Sequence, residues 1–103
     1  SAVVVERGTK QFQGMFSEMW KVSATLDAGS LADGAGESDT VTVPGVALGD
    51  MVLGVSFGVS AAGVTVTGYV SAADTVTLRL QNESAGTVDL ASTTIKLVVA
   101  RLG

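Results

Sequence analysis

The sequence predicts an all-β protein, a single antiparallel β-sandwich or jelly-roll-like domain with an N-terminal arm. Three observations predict this fold. β-Branched residues dominate the apolar fraction, with 17 Val and 11 Thr among 103 residues, and such side chains fit a pleated surface better than a helix. Apolar and polar residues alternate along several short segments that Gly-rich turns separate. No segment with a helical period lies between these segments, and the length limits the chain to one domain.

The first 19 residues differ in composition from the rest and are predicted to form the arm. Its candidate contact residues are Val3, Val5, Phe12, Met15, Phe16 and Met19. The last four recur at positions i, i+3, i+4 and i+7, which is typical of a helix of about two turns. A helix this short is unstable alone. We therefore expect the stripe either to pack on the protein's own core, as a helix or a strand, or to dock on another subunit.

From residue 20 onward the period changes to two, and residues 20–103 are predicted to form the sandwich. Trp20 begins a strand that ends at residue 26, with one apolar and one polar face. Residues 27–39 contain three Gly and four acidic residues, which predicts a turn-rich loop. A short strand over residues 40–43 follows and ends at Pro44, since proline interrupts the hydrogen bonding of a strand.

The second half of the sandwich domain repeats the same alternation. On the next strand we predict an inward-facing row. That row consists of Met51, Leu53, Val55 and Phe57. Further strands are predicted over residues 64–70, 76–81 and 94–102, with turns over residues 60–63 and 82–86.

Two valines point to an oligomer. Val52 and Val98 each stand beside residues of a predicted inward row, so both are expected on the outward face of their strands. A lone sandwich would expose these apolar side chains to water. We therefore predict a second buried surface and a homotrimer around a closed three-fold axis.

The residue inventory argues against catalysis. Cys and His are both absent, which excludes disulfides, thiol nucleophiles and the usual general base. We expect no enzyme activity, no cofactor and no bound metal. Two other interpretations remain open: a Ca²⁺ site in the loop that carries Asp33, Glu37 and Asp39, and a sugar-stacking platform formed by Trp20 and Tyr69.

Charge and hydropathy argue against nucleic acid and membranes as partners. Residues 22–78 contain six acidic residues and no basic residue. Without a basic patch, neither nucleic acid nor an anionic membrane surface is expected as a partner. No run of 18 apolar residues and no basic, apolar leader is present. We expect a soluble protein made in a reducing compartment.

Residues 24–53 and 70–101 resemble a small β domain found in many tailed-bacteriophage virion proteins. The resemblance rests on the motifs ATLD, TVTVPGVALGD, VSAADTVTLRLQN and VDLAS, which occur in the family's order and are followed by an alternating final strand. It implies a β-sandwich that commonly assembles as a trimer, in a protein located in the virion and synthesised in the host cytoplasm.

The resemblance implies one of two roles. Because no fibre shaft accompanies the domain, we expect a head decoration (cement) protein. Such a protein binds the major capsid protein, or another virion protein, on the outer surface of the phage head and stabilises the shell. A short tail fibre, spike or receptor-binding knob is the alternative.

Overall fold

The computed structural model describes residues 3–8 and 15–103, and the described residues form seven strands and no helix. The strands are β1 (Val3–Gly8), β2 (Phe16–Leu26), β3 (Gly36–Thr42), β4 (Met51–Phe57), β5 (Val64–Ala72), β6 (Thr75–Asn82) and β7 (Thr93–Leu102). They pair as two antiparallel sheets, a four-stranded sheet in the order β1-β2-β7-β4 and a three-stranded sheet in the order β3-β6-β5. The predicted all-β sandwich is confirmed.

The core lies between the two sheets. Apolar and polar residues alternate along the strands, so the apolar side chains of each strand point into this space. Trp20 of β2, Leu78 of β6 and Ile95 of β7 are fully buried there. Each such side chain stabilises the fold by about 1.5–3 kcal/mol relative to an exposed position. Both sheets contribute to this one core, so these core residues are buried within a single chain.

A β-bulge in β4 changes the predicted inward row. Val52 pairs with Val99 and Gly54 with Val98, so Leu53 is an extra residue in the strand. The row predicted from strict alternation is therefore wrong in its first half, since Met51 and Leu53 are exposed. The outward position predicted for Val52 is also wrong. Its side chain packs against the core, because the bulge reverses the alternation at this point.

The predicted arm is part of the sheet where the structure describes it. Strand β1 pairs along its whole length with β2 and forms one edge of the four-stranded sheet. The boundary predicted at residue 19 falls inside β2. Of the two forms expected for this stripe, a helix or a strand, Phe16 and Met19 adopt the strand, while Phe12 lies outside the described residues.

A second bulge explains the helix-like spacing. Phe16 pairs with Leu102 and Glu18 with Arg101, so Ser17 is the extra residue. In a regular strand, residues three positions apart lie on opposite faces. The extra residue places Phe16 and Met19 on the same face, the outer one. A strand with one bulge thus accounts for the three-residue spacing of Phe16 and Met19 on one face.

Candidate functional site

The outer side of the four-stranded sheet carries apolar side chains from all four strands, with Glu6, Lys21, Ser23 and Lys96 among them. Opposed residues in an antiparallel pair share a face, so the pairs Phe16–Leu102 and Met19–Ala100 lie on the side opposite the buried Trp20. We call this surface the outer apolar face. It is formed by Val4, Phe16, Met19, Lys21, Met51, Leu53, Lys96, Val98 and Leu102.

Several apolar side chains of this face are exposed to solvent. Val4 is 59% exposed, Leu53 50% and Leu102 64%. They stand on β1, β4 and β7, and Lys21, Ser23 and Lys96 lie between Val4 and Leu102. Single exposed apolar residues are ordinary on a protein surface, whereas several on one sheet face make that face a candidate for contact with a partner.

A groove of about 670 Å³ runs across this face. Val4 on β1 and Leu53 on β4, the two edge strands, line its sides, and Val98 lies between them. Ser23, Gly54 and Ser56 also line the groove. Their small side chains leave space on the middle of the sheet, while the larger side chains at its edges provide walls.

Two lysines give the groove a positive charge in a chain whose net charge is −4. Lys21 and Lys96 both line it. Among the described lining residues the only carboxylate is that of Glu6, whose Oε1 lies 3.8 Å from Lys21 Nζ. Both side chains of this pair are well exposed, so the interaction is weak and the lysines remain accessible to a partner's carboxylates.

The structure divides the contact residues predicted from the sequence. Phe16, Met19 and Val98 lie on the outer apolar face. Val5 and Val52 pack against the core instead, and their role as partner contacts stays a prediction.

Val3 and Met15 lie away from the groove. Val3 is at the sheet edge, where it lines a separate shallow cavity with Thr42 and Pro44. Met15 precedes β2 and is 69% exposed. Phe12 lies outside the described residues.

Val4, Met51, Leu53 and Leu102 belong to the face but were not predicted as contact residues. The sequence contained one signal for them: Val4 and Leu102 continue apolar runs at the two ends of the chain. Met51 and Leu53 could not be placed outward, because the bulge in β4 decides their side.

The three acidic residues of the possible Ca²⁺ site have separate roles. Asp33 Oδ1 accepts a hydrogen bond from the Ala85 N–H at 3.1 Å, and Glu37 Oε1 accepts one from the Gly29 N–H at 2.9 Å. In the described part of the chain no three acidic side chains are grouped as metal ligands. The arrangement gives the Ca²⁺ interpretation no support.

Asp39 is an exception among these acids, because its Oδ2 atom is buried and has no hydrogen-bond partner among the described residues. The pKa of Asp39 is raised to about 6, mainly because the carboxyl group is removed from water, and the neighbouring carboxylate of Glu37 contributes to the same rise. The pair lies on edge strand β3. Inward-pointing charged residues of this kind discourage edge-to-edge association of sheets.

Trp20 and Tyr69 do not form a sugar platform. Trp20 is fully buried and its Nε1–H donates a hydrogen bond to the Pro44 carbonyl oxygen at 3.1 Å. Tyr69 is 53% exposed and pairs with Thr77 on the outer side of the other sheet. The two rings therefore cannot contact one ligand.

Comparison with known protein families, curated proteins and solved structures finds no match for this chain. Within residues 3–8 and 15–103, no helix has the length and apolar character needed to cross a membrane.

Proposed function

We propose that this chain is a structural protein of a bacteriophage virion, a head decoration protein that binds the outer surface of the capsid and stabilises the shell. The observation that carries the proposal is the outer apolar face, which exposes Val4, Leu53 and Leu102 on a domain that already has a core between its two sheets. The motifs that resemble phage virion domains indicate the particle to which such a surface would attach.

The two outer surfaces of the sandwich differ in polarity. This difference suits a protein that binds a partner through one surface and exposes the other to solvent. The outer side of the three-stranded sheet carries mainly hydroxyl and amide groups. Its residues, inferred from strand pairing, are Ser38, Thr40, Thr42, Thr65, Thr67, Tyr69, Thr75, Thr77, Arg79 and Gln81. This hydrophilic surface needs no partner, whereas the apolar surface opposite does. Docking through the apolar side leaves the polar side in contact with water.

A decoration protein stabilises its shell by mass action, because it binds the assembled form and adds contact area between neighbouring capsomers. Particles that lack the chain should therefore assemble but lose their DNA at a lower temperature or on osmotic shock. Adding back the wild-type chain should restore their resistance. Adding back a Leu53→Asp, Val98→Asp double variant should not, since both substitutions place a charge in the apolar contact.

The matched control is Thr67→Asp, which introduces a carboxylate on the outer side of the other sheet, where position 67 is exposed. It should restore resistance as well as the wild type does. The proposal fails if the double variant, shown to be folded by its thermal unfolding curve, protects the particles equally well.

The alternative function is a receptor-binding knob on a tail fibre or spike. It is favoured by the polar surface, where Tyr69 and Arg79 are exposed among hydroxyl groups that could contact a host receptor. Particles without the chain would then be as robust as the wild type but would not adsorb to host cells. The Thr67→Asp variant would affect adsorption, while the Leu53→Asp, Val98→Asp variant would fail to attach.

We also propose that the chain assembles as the homotrimer predicted from its sequence. Val52 no longer supports it, because that side chain packs inside the sandwich. Val98 lies on the outer apolar face, which this proposal assigns to the capsid contact, so the trimer rests on the resemblance to phage virion domains alone. Sedimentation equilibrium distinguishes a trimer from a single chain of 10.3 kDa.

A further inference from the structure

The outer side of the three-stranded sheet carries a cation among uncharged polar groups. We propose that this side binds acidic saccharides, with the Arg79 guanidinium holding a sugar carboxylate and Tyr69 packing against a sugar ring. The site lies on the sheet opposite the outer apolar face. It therefore goes beyond the proposed attachment to a capsid and does not depend on it.

Strand pairing defines the surroundings of Arg79. The residue lies on β6, the central strand, between Ser38 of β3 and Thr67 of β5. The adjoining outward rows contain no carboxylate and no aliphatic side chain. They are Gly36, Gln81 and Thr65 on one side and Thr40, Thr77 and Tyr69 on the other. Glu37 and Asp39 of β3 oppose the buried Leu80 and Leu78 and so belong to the inner side. In a chain of net charge −4, this cation is thus kept apart from carboxylates on its own face and is available to an external anion.

The guanidinium of Arg79 is held in place by neutral groups. Nη1 donates a hydrogen bond to Ser38 Oγ at 3.3 Å, and Nη2 donates one to Gln81 Oε1 at 3.4 Å. Gln81 is itself oriented, since its Nε2 donates to the Gly34 carbonyl oxygen at 3.0 Å and to Glu83 Oε2 at 3.1 Å. A guanidinium carries more N–H donors than these two bonds use, so the others remain available to a ligand.

Gly36 allows the guanidinium to lie close to the sheet. A Cβ atom at position 36 would overlap Nη2 and Cζ of Arg79 and Oε1 of Gln81, so a side chain there would displace the guanidinium. The planar group therefore lies over the backbone of β3. A carboxylate binds such a fork through two parallel hydrogen bonds, and a fork already held in position loses less entropy when it binds.

Tyr69 and the surrounding hydroxyl groups favour a saccharide over an acidic protein as the ligand. A protein partner needs apolar side chains at the centre of the contact, whereas Tyr69, which is 53% exposed, is the one aromatic residue of these rows. Its ring offers an apolar surface to a sugar ring. Exposed hydroxyls of Ser38, Thr40 and Thr67 can donate to and accept from sugar hydroxyls.

The spacing of the two anchors indicates an oligosaccharide. Gly36, over which the guanidinium lies, and Tyr69 stand on the two outer strands of this sheet. Their partners on β6 are Gln81 and Thr77. Two strand spacings across the sheet and four residues along it give a separation of about 16 Å. One sugar ring is too small to reach both anchors, so the ligand is expected to contain several rings.

The test uses the full chain and trigalacturonate, a trisaccharide with a carboxylate on each ring, at constant ionic strength. The matched probe is its methyl ester, which has the same rings without the charges. Two-dimensional NMR titration should show shifts on β3, β5 and β6 with the acid. The ester should bind about fivefold more weakly, as expected for one exposed ion pair.

Variants of the chain separate the parts of the site, and the amide spectrum of each variant shows whether it is folded. Arg79→Gln should bind the acid and the ester equally weakly. Gly36→Ala keeps the charge but displaces the guanidinium, so it should also lose most of the preference for the acid. Tyr69→Ala should weaken both probes by a similar factor. The matched control, Lys96→Gln, removes a positive charge from the other sheet and should change neither affinity.

Four results would overturn the site. They are equal binding of acid and ester by the wild type, shifts confined to the four-stranded sheet, a loss of affinity in Lys96→Gln equal to that in Arg79→Gln, and no shift at millimolar trigalacturonate. If inorganic sulfate or triglutamate binds as tightly as trigalacturonate and shifts the same residues, the saccharide is the wrong ligand. A chain that binds trigalacturonate but is absent from virions contradicts the proposed function and leaves this site standing.

Discussion

The guanidinium carbon of Arg101 lies 5.3 Å from the centroid of the Trp20 ring. The same guanidinium donates hydrogen bonds from Nε and Nη2 to the two carboxylate oxygens of Asp50, each at 2.8 Å. Nη2 also donates to the Gly45 carbonyl oxygen at 3.0 Å, and Nη1 lies 3.3 Å from Glu18 Oε2. One side chain of β7 thus joins β2 to the loop between β3 and β4. The Asp50 contact also raises the pKa of Arg101 above its ordinary value.

Replacing Asp50 by alanine should lower the free energy of unfolding by about 2–3 kcal/mol. The Asp50 side chain is only 5% exposed and makes both hydrogen bonds to Arg101, so its loss leaves the guanidinium with fewer partners. Urea unfolding measures the change. The control, Asp89→Ala at an exposed position, should cost about 0.5 kcal/mol or less. Equal effects of the two substitutions would show that this ion pair contributes little.

The raised pKa of Asp39 predicts a pH dependence of stability. Folded Asp39 keeps its proton up to about pH 6, whereas an unfolded aspartate releases it near about pH 4. The folded state therefore binds an extra proton between these values, and the free energy of unfolding should fall as the pH rises through this range. Asp39→Asn should remove this fall and be more stable than the wild type above about pH 6.

Denaturant unfolding of the two proteins at several pH values measures this effect. Asp33→Asn is the matched control, because Asp33 has a hydrogen-bond donor in the Ala85 N–H. It should keep the fall in stability. If the wild type and Asp39→Asn show parallel curves, then the proton at Asp39 does not contribute to stability.

Gly68 on β5 should tolerate no side chain while Val52 packs above it. A Cβ atom at position 68 would lie 2.9 Å from Val52 Cγ1 and 3.3 Å from Leu78 Cδ2. Gly68→Ala should therefore destabilise the protein by about 1–3 kcal/mol through overpacking. Adding Val52→Ala should recover part of that loss, because it removes the closest contact. A double-mutant cycle measures the coupling, and additive effects would contradict the inward position of Val52.

Asn82 should be among the least replaceable polar residues. Its side chain is fully buried. Nδ2 donates to the carbonyl oxygens of Leu31 and Gly86 at 2.7 and 2.8 Å, and Oδ1 accepts hydrogen bonds from the N–H and hydroxyl of Ser84. Asn82→Ala should cost about 2–4 kcal/mol by calorimetry, since it leaves several buried groups unpaired. The nearby Gln81→Ala should cost much less, because its contacts are exposed.

The fold could be predicted because its strands carry a local signal. Alternation from Trp20 to Leu26 defines one apolar face, and that face is the buried one. The outer apolar face could be predicted only in part. Ser17 and Leu53 are the extra residues of two bulges, and a bulge depends on pairing with a distant strand. The spacing of Phe16 and Met19 therefore leaves a helix and a strand both open, and strict alternation places Val52 on the wrong side of its strand.

The pairing of β1 with β2 could not be predicted from the residues of β1 alone. Val3 and Val5 could be recognised as apolar, but their partners on β2 are Ala24 and Val22, which are distant in the sequence. Edge pairing of this kind is decided by the whole sheet. Hence a segment that resembles a separate arm contributes an edge strand instead.

The most direct test of the proposed function is the ratio of this chain to the major capsid protein in purified virions, measured by quantitative mass spectrometry with labelled standard peptides. A decoration protein occupies a repeated site on the shell, so the two proteins should be present in amounts of the same order. A chain present in only a few copies per particle, or absent from washed particles, would contradict the claim that the outer apolar face attaches this domain across the capsid surface.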